Sequence, residues 1–193
     1  LAACPQCGNG DAEADGTAAA VVGHFYGYLL TKRTWRGGIY GGGCSTFNRA
    51  AVYGGSIGAL PNGKRKNDPL LADSIGAVPG HDRNGPTALL LSAARQPQRL
   101  AKSGNVLNLK FTRQFFDSEA GESAFISLAK TYFRLGGQQL SVSVVSPEEL
   151  RDAQLHPEAH GDLIVRVGGY SDHFTNLSRG LQDNIIARTE LGL

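Results

Sequence analysis

The sequence has few cysteines, little net charge and no long apolar run. Three unevenly spaced cysteines in 193 residues cannot build a disulfide framework, so we expect a reducing, cytoplasmic location. No apolar run approaches the roughly 18 residues that span a membrane, and the first residues lead into Cys4 and Pro5 without the pattern of a signal peptide. A net charge of +2 with interspersed signs gives no basic face for nucleic acid. Membrane and nucleic-acid partners are therefore not expected.

Glycine, in contrast, is abundant. It supplies 26 of the 193 residues, about twice the roughly 7% of average proteins. The glycines follow no three-residue period, which excludes collagen, and a hydrophobic content of 41% argues against disorder. The length fits one domain, or one part of a larger domain.

The first part of the chain has little periodicity. Residues 8–16 are predicted to form a loop and residues 17–32 a helix. The apolar residues that recur with the helical period are Val21, Val22, Phe25, Tyr28 and Leu29. Residues 34–83 contain repeated glycine and proline turn signals, so we expect them to wrap over another surface. Residues 1–83 are thus predicted to be a glycine-rich wrapping segment with one helix.

The following part is more regular and predicts an α/β fold. Residues 86–96 are predicted to form a helix, and residues 105–111 and 138–145 alternate as strands. Residues 123–135 form an amphipathic helix between these strands. Strand, helix and strand make a βαβ unit with parallel strands, so residues 84–160 are predicted to be a βαβ segment.

Shorter elements are predicted to follow the second strand. Ser146 is expected to cap a short helix that ends before Pro157, with Glu149 reaching back to the cap. A third strand is predicted at residues 163–167 and a final helix at residues 177–189.

One face of each predicted strand is polar. Asn108 and Lys110 share a face of the first strand, and Ser141 and Ser143 share a face of the second. These residues are expected to face polar surroundings or an enclosed site. Three or four strands cannot close a barrel, which needs about eight. We therefore expect part of a sheet that is incomplete without further chain.

The third strand ends at two glycines that precede an aromatic residue. Such a pair is typical of a tight turn or bulge in which glycine supplies a positive φ. The flanking residues favour a more specific interpretation. Arg166, Gly168, Gly169 and Tyr170 closely resemble the C-terminal signature of glycyl radical enzymes. Further matches to that family follow in order along nearly the whole chain, at residues 5–9, 61–65, 69–73, 82–87, 103–111, 132–137, 150–154 and 174–189.

The resemblance implies a ten-stranded α/β barrel of two half-sheets, of which this chain is the C-terminal portion. Residues 161–193 are then the radical loop and terminal helix, and Gly169 holds a backbone radical. A separate activating enzyme with an iron–sulfur cluster and S-adenosylmethionine installs that radical, so no permanently bound cofactor is implied. Glycine suits this role because a side chain would crowd a planar Cα radical, and the surrounding protein must exclude oxygen and water.

In the family, the radical passes to a cysteine on a separate loop, and the thiyl radical abstracts a hydrogen atom from a small-molecule substrate. That loop precedes the matched region, and Cys4, Cys7 and Cys44 do not stand in its sequence context. The resemblance therefore implies the radical subunit of a split enzyme, active only with a larger cysteine-bearing partner. A repair module that replaces an oxygen-cleaved C-terminus, a fragment of a single-chain enzyme and a non-catalytic binding module are the alternatives. The likeness is to the dehydratase, decarboxylase and lyase branch.

Three weaker motifs allow other interpretations. Cys4 and Cys7, with Cys44 and His24, have the composition of a zinc site, although unremarkable thiols fit the spacing better. Residues 156–160 contain two histidines, but Pro157 separates them and a solvated helix end is favoured. Residues 64–66 form a short basic run, which fits a solvated turn or a contact with a partner or a substrate phosphate.

Overall fold

The structure is a computed structural model that describes residues 3–45, 50–68, 72, 74–188 and 190–191. Its helices are α1 (Ala12–Leu30), α2 (Ala50–Ser56), α3 (Gly85–Arg95), α4 (Glu119–Arg134), α5 (Pro147–Leu155) and α6 (Arg179–Ala187). Its strands are β1 (Gly43–Cys44), β2 (Gly104–Asn105), β3 (Leu107–Phe111), β4 (Leu140–Val144), β5 (Ile164–Arg166), β6 (Ser171–His173) and β7 (Glu190–Leu191). Every helix and strand predicted from residue 86 onward is found, with ends that differ by a few residues.

A three-stranded parallel sheet in the order β4–β3–β7 forms the centre of the fold. β3 pairs with β4 from Leu107 opposite Leu140 to Phe111 opposite Val144. Because α4 connects these two strands, the predicted βαβ unit and its parallel pairing are confirmed. The other edge of β3 pairs with β7. The sequence did not predict β7, since two residues carry no recognisable alternation.

Two apolar cores hold the layers together. The first packs α3 and α4 against β3, and its buried members are Leu89, Leu90, Ala93, Leu107, Leu109, Phe111, Phe115, Tyr132 and Leu191. The second lies among α5, α6 and β5, and its buried members are Leu150, Ala153, Val165, Val167, Phe174, Leu181 and Ile185. Full burial of one such large side chain contributes roughly 1.5–3 kcal/mol. The second core fixes the strand that leads to Gly168 and Gly169.

The polar face of the sheet is enclosed, as the sequence predicted. Lys110, Ser141 and Ser143 are buried although their side chains are polar. The Lys110 ammonium donates a hydrogen bond to the Ile186 carbonyl oxygen at 3.0 Å, which ties β3 to α6. The Ser141 hydroxyl accepts one from the guanidinium of Arg166 in β5. Buried polar groups need such partners, and here the two partners come from α6 and from β5, the strand that leads to Gly169.

Helix α1 begins at Ala12, not at residue 17 as predicted. The Asp11 carboxylate accepts hydrogen bonds from the backbone N–H groups of Glu13 at 3.0 Å and Ala14 at 2.8 Å. Such a cap satisfies backbone donors that the first helical turn leaves unpaired. The predicted loop therefore ends at Asp11.

Caps also define the starts of two later helices. The Ser118 hydroxyl accepts from the Gly121 N–H at 3.1 Å, so α4 starts at Glu119 instead of residue 123. The Ser146 hydroxyl accepts from the Glu149 N–H at 3.0 Å, which confirms the predicted cap of α5.

The apolar residues of α1 lie mostly on the surface. Val21, Phe25 and Tyr28 are 67%, 56% and 55% exposed, whereas Asp15 and Tyr26 are the buried residues of the helix. A helical apolar stripe normally faces a core. None of the helices in the described ranges combines the length and the apolar content needed to cross a membrane.

The segment predicted to be irregular, residues 34–83, contains one helix and one short strand among its described residues. Lys64 in this segment is buried, so the interpretation of a fully solvated turn is wrong at this residue. Its ammonium donates hydrogen bonds to the carbonyl oxygens of Ile57 at 3.0 Å and Arg65 at 3.1 Å. The family match at residues 69–73 lies outside the described residues except for Ala72.

Candidate functional site

A tight antiparallel hairpin carries the two glycines. β5 pairs with β6, with Arg166 opposite Ser171, and the Val167 N–H donates to the Tyr170 carbonyl oxygen at 2.9 Å. The strand predicted at residues 163–167 is thus confirmed as β5. The returning strand β6 was not predicted, because three polar residues have no apolar alternation that would mark them as a strand.

Gly169 lies at the tip of this hairpin in a conformation that favours glycine. Its φ is +80°, in the left-handed region that strains residues with a side chain. A Cβ atom built on Gly169 has no neighbour within 4 Å. Gly168 is buried, whereas Gly169 is exposed. Conformation therefore demands a glycine here, and one side of its Cα is open to an approaching molecule.

The Arg166 side chain bridges the hairpin and the central sheet. Its Nε donates to the Ser141 hydroxyl in β4 at 3.0 Å. One terminal nitrogen donates to the Ser171 hydroxyl at 3.3 Å, and the other donates to the carbonyl oxygen of Gly169 at 3.2 Å. The planar guanidinium holds its donors in fixed directions. The sheet thereby orients the carbonyl group of Gly169.

A second arginine holds the backbone of the same strand. Arg188 is buried, and one of its terminal nitrogens donates to the Arg166 carbonyl oxygen at 2.8 Å. Its other terminal nitrogen donates to the carbonyl oxygen of Val167. Arg188 lies in the family match at residues 174–189, but the sequence alone did not predict this contact. The contact links the end of α6 to the glycine hairpin.

The N-terminal family match contacts a later match directly. The Asn9 side-chain oxygen accepts from the backbone N–H groups of Arg83 at 2.7 Å and Asn84 at 3.2 Å. Its amide nitrogen donates to the His81 carbonyl oxygen at 2.6 Å. Asn9 therefore joins the matches at residues 5–9 and 82–87, which are distant in sequence.

The cysteines occupy separate environments and do not form the suggested metal site. Cys4 is exposed, and the Cys44 thiol donates to the Ser74 carbonyl oxygen at 3.1 Å. Burial, and then a hydrogen bond with Asp15, raises the pKa of Cys7 to about 12. Among the described residues, no group of three or more histidine, cysteine, aspartate or glutamate side chains is placed to hold a metal ion.

The two histidines at residues 156–160 lie at and just beyond the C-terminal end of α5, as predicted. The His160 ring nitrogen Nε2 lies 2.7 Å from an Asp152 carboxylate oxygen of α5. His156 lies at the C-terminal cap of α5, 3.8 Å from the Glu158 carboxylate and largely exposed.

Comparison with known proteins identifies the hairpin's family. The family model described as "Glycine radical" matches residues 71–175, which include Arg166, Gly169 and Tyr170. The chain belongs to the glycyl radical enzyme family. The resemblance seen in the sequence is thereby confirmed.

Similar glycyl radical enzymes include dehydratases and a decarboxylase. Trans-4-hydroxy-L-proline dehydratase of Clostridioides difficile is 36% identical over 96% of this chain and 23% of its own length. Indoleacetate decarboxylase of Tractidigestivibacter scatoligenes is 32% identical over 97% of this chain and 21% of its own length. The B12-independent glycerol dehydratase of Clostridium butyricum superimposes with a TM-score of 0.95 at 32% identity, over 99% of this chain and 24% of that structure. The chain thus spans about a quarter of these relatives and has the fold of that quarter.

Proposed function

We propose that Gly169 stores a backbone radical and passes it to a cysteine on a larger polypeptide. The observation that carries this proposal is the position of Gly169, at the exposed tip of a hairpin inside the region matched by the family model. Its φ of +80° and the open space beside its Cα suit a glycine that another enzyme must reach. Residues 161–193 are accordingly proposed to be the radical loop and terminal helix.

The radical is formed by loss of one hydrogen atom from Gly169. A separate activating enzyme, using an iron–sulfur cluster and S-adenosylmethionine, supplies a carbon-centred radical that takes this atom. One Cα–H bond of Gly169 breaks homolytically, a C–H bond forms on the acceptor, and the unpaired electron stays on Cα. The adjacent amide nitrogen and carbonyl group share that electron when the centre is planar. The cysteine thiol later returns a hydrogen atom to Cα and becomes the thiyl radical.

The reaction on the substrate is proposed to require additional polypeptide beyond these 193 residues. Gly169 is exposed among the described residues, and a stored radical needs a site that excludes oxygen and water. The relatives are about four times longer, and the apolar face of α1 is uncovered. A larger cysteine-bearing polypeptide that completes a ten-stranded barrel would meet these needs. A split subunit, a repair module and a piece of one longer chain are three forms of this arrangement.

The proposed reaction class is that of a lyase acting on a small molecule. Similar proteins include a hydroxyproline dehydratase, an indoleacetate decarboxylase and isethionate sulfite-lyases. The reactions that these names describe each break a C–O, C–C or C–S bond. A radical on the adjacent carbon of the substrate weakens such a bond.

Electron paramagnetic resonance tests the position of the radical. The chain is incubated without oxygen with an activating enzyme of the family, S-adenosylmethionine and a reductant. We expect a doublet signal, because a glycyl radical retains one α-hydrogen that splits the line in two. Gly169→Ala should abolish this doublet while the chain stays folded, since the added Cβ has no neighbour within 4 Å.

Gly136→Ala is the matched control for this substitution. Gly136 also has a positive φ, +102°, and open space at the Cβ position. Both variants carry a similar backbone strain of roughly 1–2 kcal/mol. The control should retain the doublet, and a doublet that persists in Gly169→Ala would refute the assignment of the radical to this residue.

Two complementation experiments separate the forms of the complete enzyme. In one, the chain is co-expressed with a larger homologue truncated before its own glycine hairpin. In the other, it is added to a full-length homologue that oxygen has cleaved. Activity only in the first supports a split subunit, and activity in the second supports a repair module. No activity in either, together with a radical on a longer native polypeptide, supports a fragment of one chain.

A further inference from the structure

The carbonyl oxygen of Gly169 accepts a charge-assisted hydrogen bond. An Arg166 terminal nitrogen lies 3.2 Å from that oxygen, and the same guanidinium is fixed by the Ser141 and Ser171 hydroxyls. Ser141 is buried in a strand of the central sheet. The cationic guanidinium is therefore held against the carbonyl oxygen of Gly169, and this carbonyl group would share the unpaired electron.

A hydrogen bond at this position acts on the radical electronically. A Cα radical is stabilised when the amide nitrogen donates electron density and the carbonyl group withdraws it. A cation that donates to the carbonyl oxygen strengthens this withdrawal, and hydrogen bonds from charged donors are stronger than neutral ones. A donor already fixed in position needs no reorganisation when the electronic structure changes.

We propose that Arg166 stabilises the radical at Gly169 through this hydrogen bond and that Ser141 is the positioning residue that aims the guanidinium. This inference rests on the proposed function, because it requires the radical to reside on Gly169. The electronic role is separable from hairpin folding. Arg188 holds the backbone carbonyl of Arg166, and the β5–β6 pairing uses backbone groups, so both persist when the Arg166 side chain is shortened.

The experiment compares Arg166→Met, Arg166→Lys and Ser141→Ala in the complete assembly with its activating enzyme. Met removes every donor and keeps a shorter unbranched chain, and Lys retains the positive charge but not the fork of donors. We measure the α-hydrogen splitting of the doublet and the anaerobic half-life of the signal. Arg179→Met is the matched control, since Arg179 is exposed on α6 and forms an exposed ion pair with Asp183 at 3.4 Å.

We expect a larger splitting in Arg166→Met, because less spin reaches the carbonyl group and more stays on Cα. The half-life should fall roughly tenfold or more, as expected for loss of a charge-assisted bond. Arg166→Lys and Ser141→Ala should lie between that variant and the parent, and Arg179→Met should match the parent. A merely structural Arg166 would lower the radical yield without changing the splitting.

Two results would overturn the inference. One is that Arg166→Met has the same doublet splitting and the same half-life as the parent. The other is that Ser141→Ala, which keeps the Arg166 side chain, has the same splitting and half-life as the parent. This second result decides the matter if Arg166→Met is not activated at all. Failure of the proposed function is distinguishable, because then the parent chain itself gives no doublet or Gly169→Ala retains it.

Discussion

Three thiols in this chain differ in what surrounds each sulfur atom. Cys4 is exposed, Cys7 is partly buried beside Asp15, and Cys44 donates to a backbone carbonyl. Only the thiolate reacts rapidly with alkylating reagents. Raising the pKa of Cys7 from 9.0 to about 12 therefore lowers its reactive fraction about a thousandfold at neutral pH.

We expect iodoacetamide to modify Cys4 of the folded chain at pH 8 while Cys7 remains unmodified. The Cys7 pKa lies above the ordinary thiol value, so the folded chain holds this proton between pH 9 and 12 and labelling should rise only as pH climbs through that window. Peptide mass spectrometry at several pH values measures both rates. Unfolding in urea should equalise the two thiols, and equal rates in the folded chain at pH 8 would contradict the prediction.

Among the elements, α1 is held by a buried ionic contact near its first turn. Asp15 is fully buried, and its Oδ2 accepts from the Ser92 hydroxyl at 2.8 Å and from an Arg95 nitrogen at 2.7 Å. Both partners belong to α3. Because most of the apolar face of α1 points to solvent, this polar contact and the buried Tyr26 are the links by which α1 packs on the rest of the described chain.

Asp15→Asn should lower the free energy of unfolding by roughly 1.5–3 kcal/mol, the range for hydrogen bonds to charged groups. The neutral amide can still turn its oxygen toward Ser92 and Arg95, but it loses the ionic attraction to Arg95 and buries its NH2 group at the position of Oδ1. Urea unfolding monitored by circular dichroism measures the change. Asp11→Asn is the control in the same helix, since asparagine caps as well as aspartate. An equal loss in both variants would show that the buried contact is not the cause.

The length of an element decides whether its sequence pattern predicted it. The alternation of β3 and β4 and the period of α4 predicted the βαβ unit, because long amphipathic elements repeat one signal many times. β6 and β7 were missed because three and two residues cannot establish a period. The glycine hairpin was found through family resemblance. The bond from Arg166 to Ser141 was beyond prediction because it depends on how a hairpin and a sheet pack, although the polar face of β4 indicated an enclosed partner.

At the scale of the whole molecule, the chain exposes apolar side chains on and just after α1. Phe25 and Tyr28 on α1 are more than half exposed, and Trp35, shortly after the helix, is 87% exposed. Large exposed apolar patches mark surfaces that bind other proteins. We therefore expect this surface to be covered in the complete enzyme.

Trp35 is the single tryptophan of the chain and reports directly on that surface. Its fluorescence in the isolated chain should have the long-wavelength maximum of a solvated indole and be quenched readily by acrylamide. Assembly with the proposed cysteine-bearing polypeptide should shift the maximum to shorter wavelength and reduce quenching at least twofold. Trp35→Phe in this chain identifies the signal of the partner alone. Assembly that leaves both measurements unchanged would place the interface elsewhere.

The contacts of Arg188 have a consequence for damage by oxygen. If oxygen cut the backbone at Gly169, residues 170–193 would no longer be joined covalently to β5. They would still be held by Arg188, which binds two carbonyl groups of that segment, and by Phe174, Leu181 and Ile185 in the second core. The nicked protein would migrate as one species under native conditions and separate into two pieces only when denatured. A backbone cut at Gly169 would thus leave no trace in a native gel.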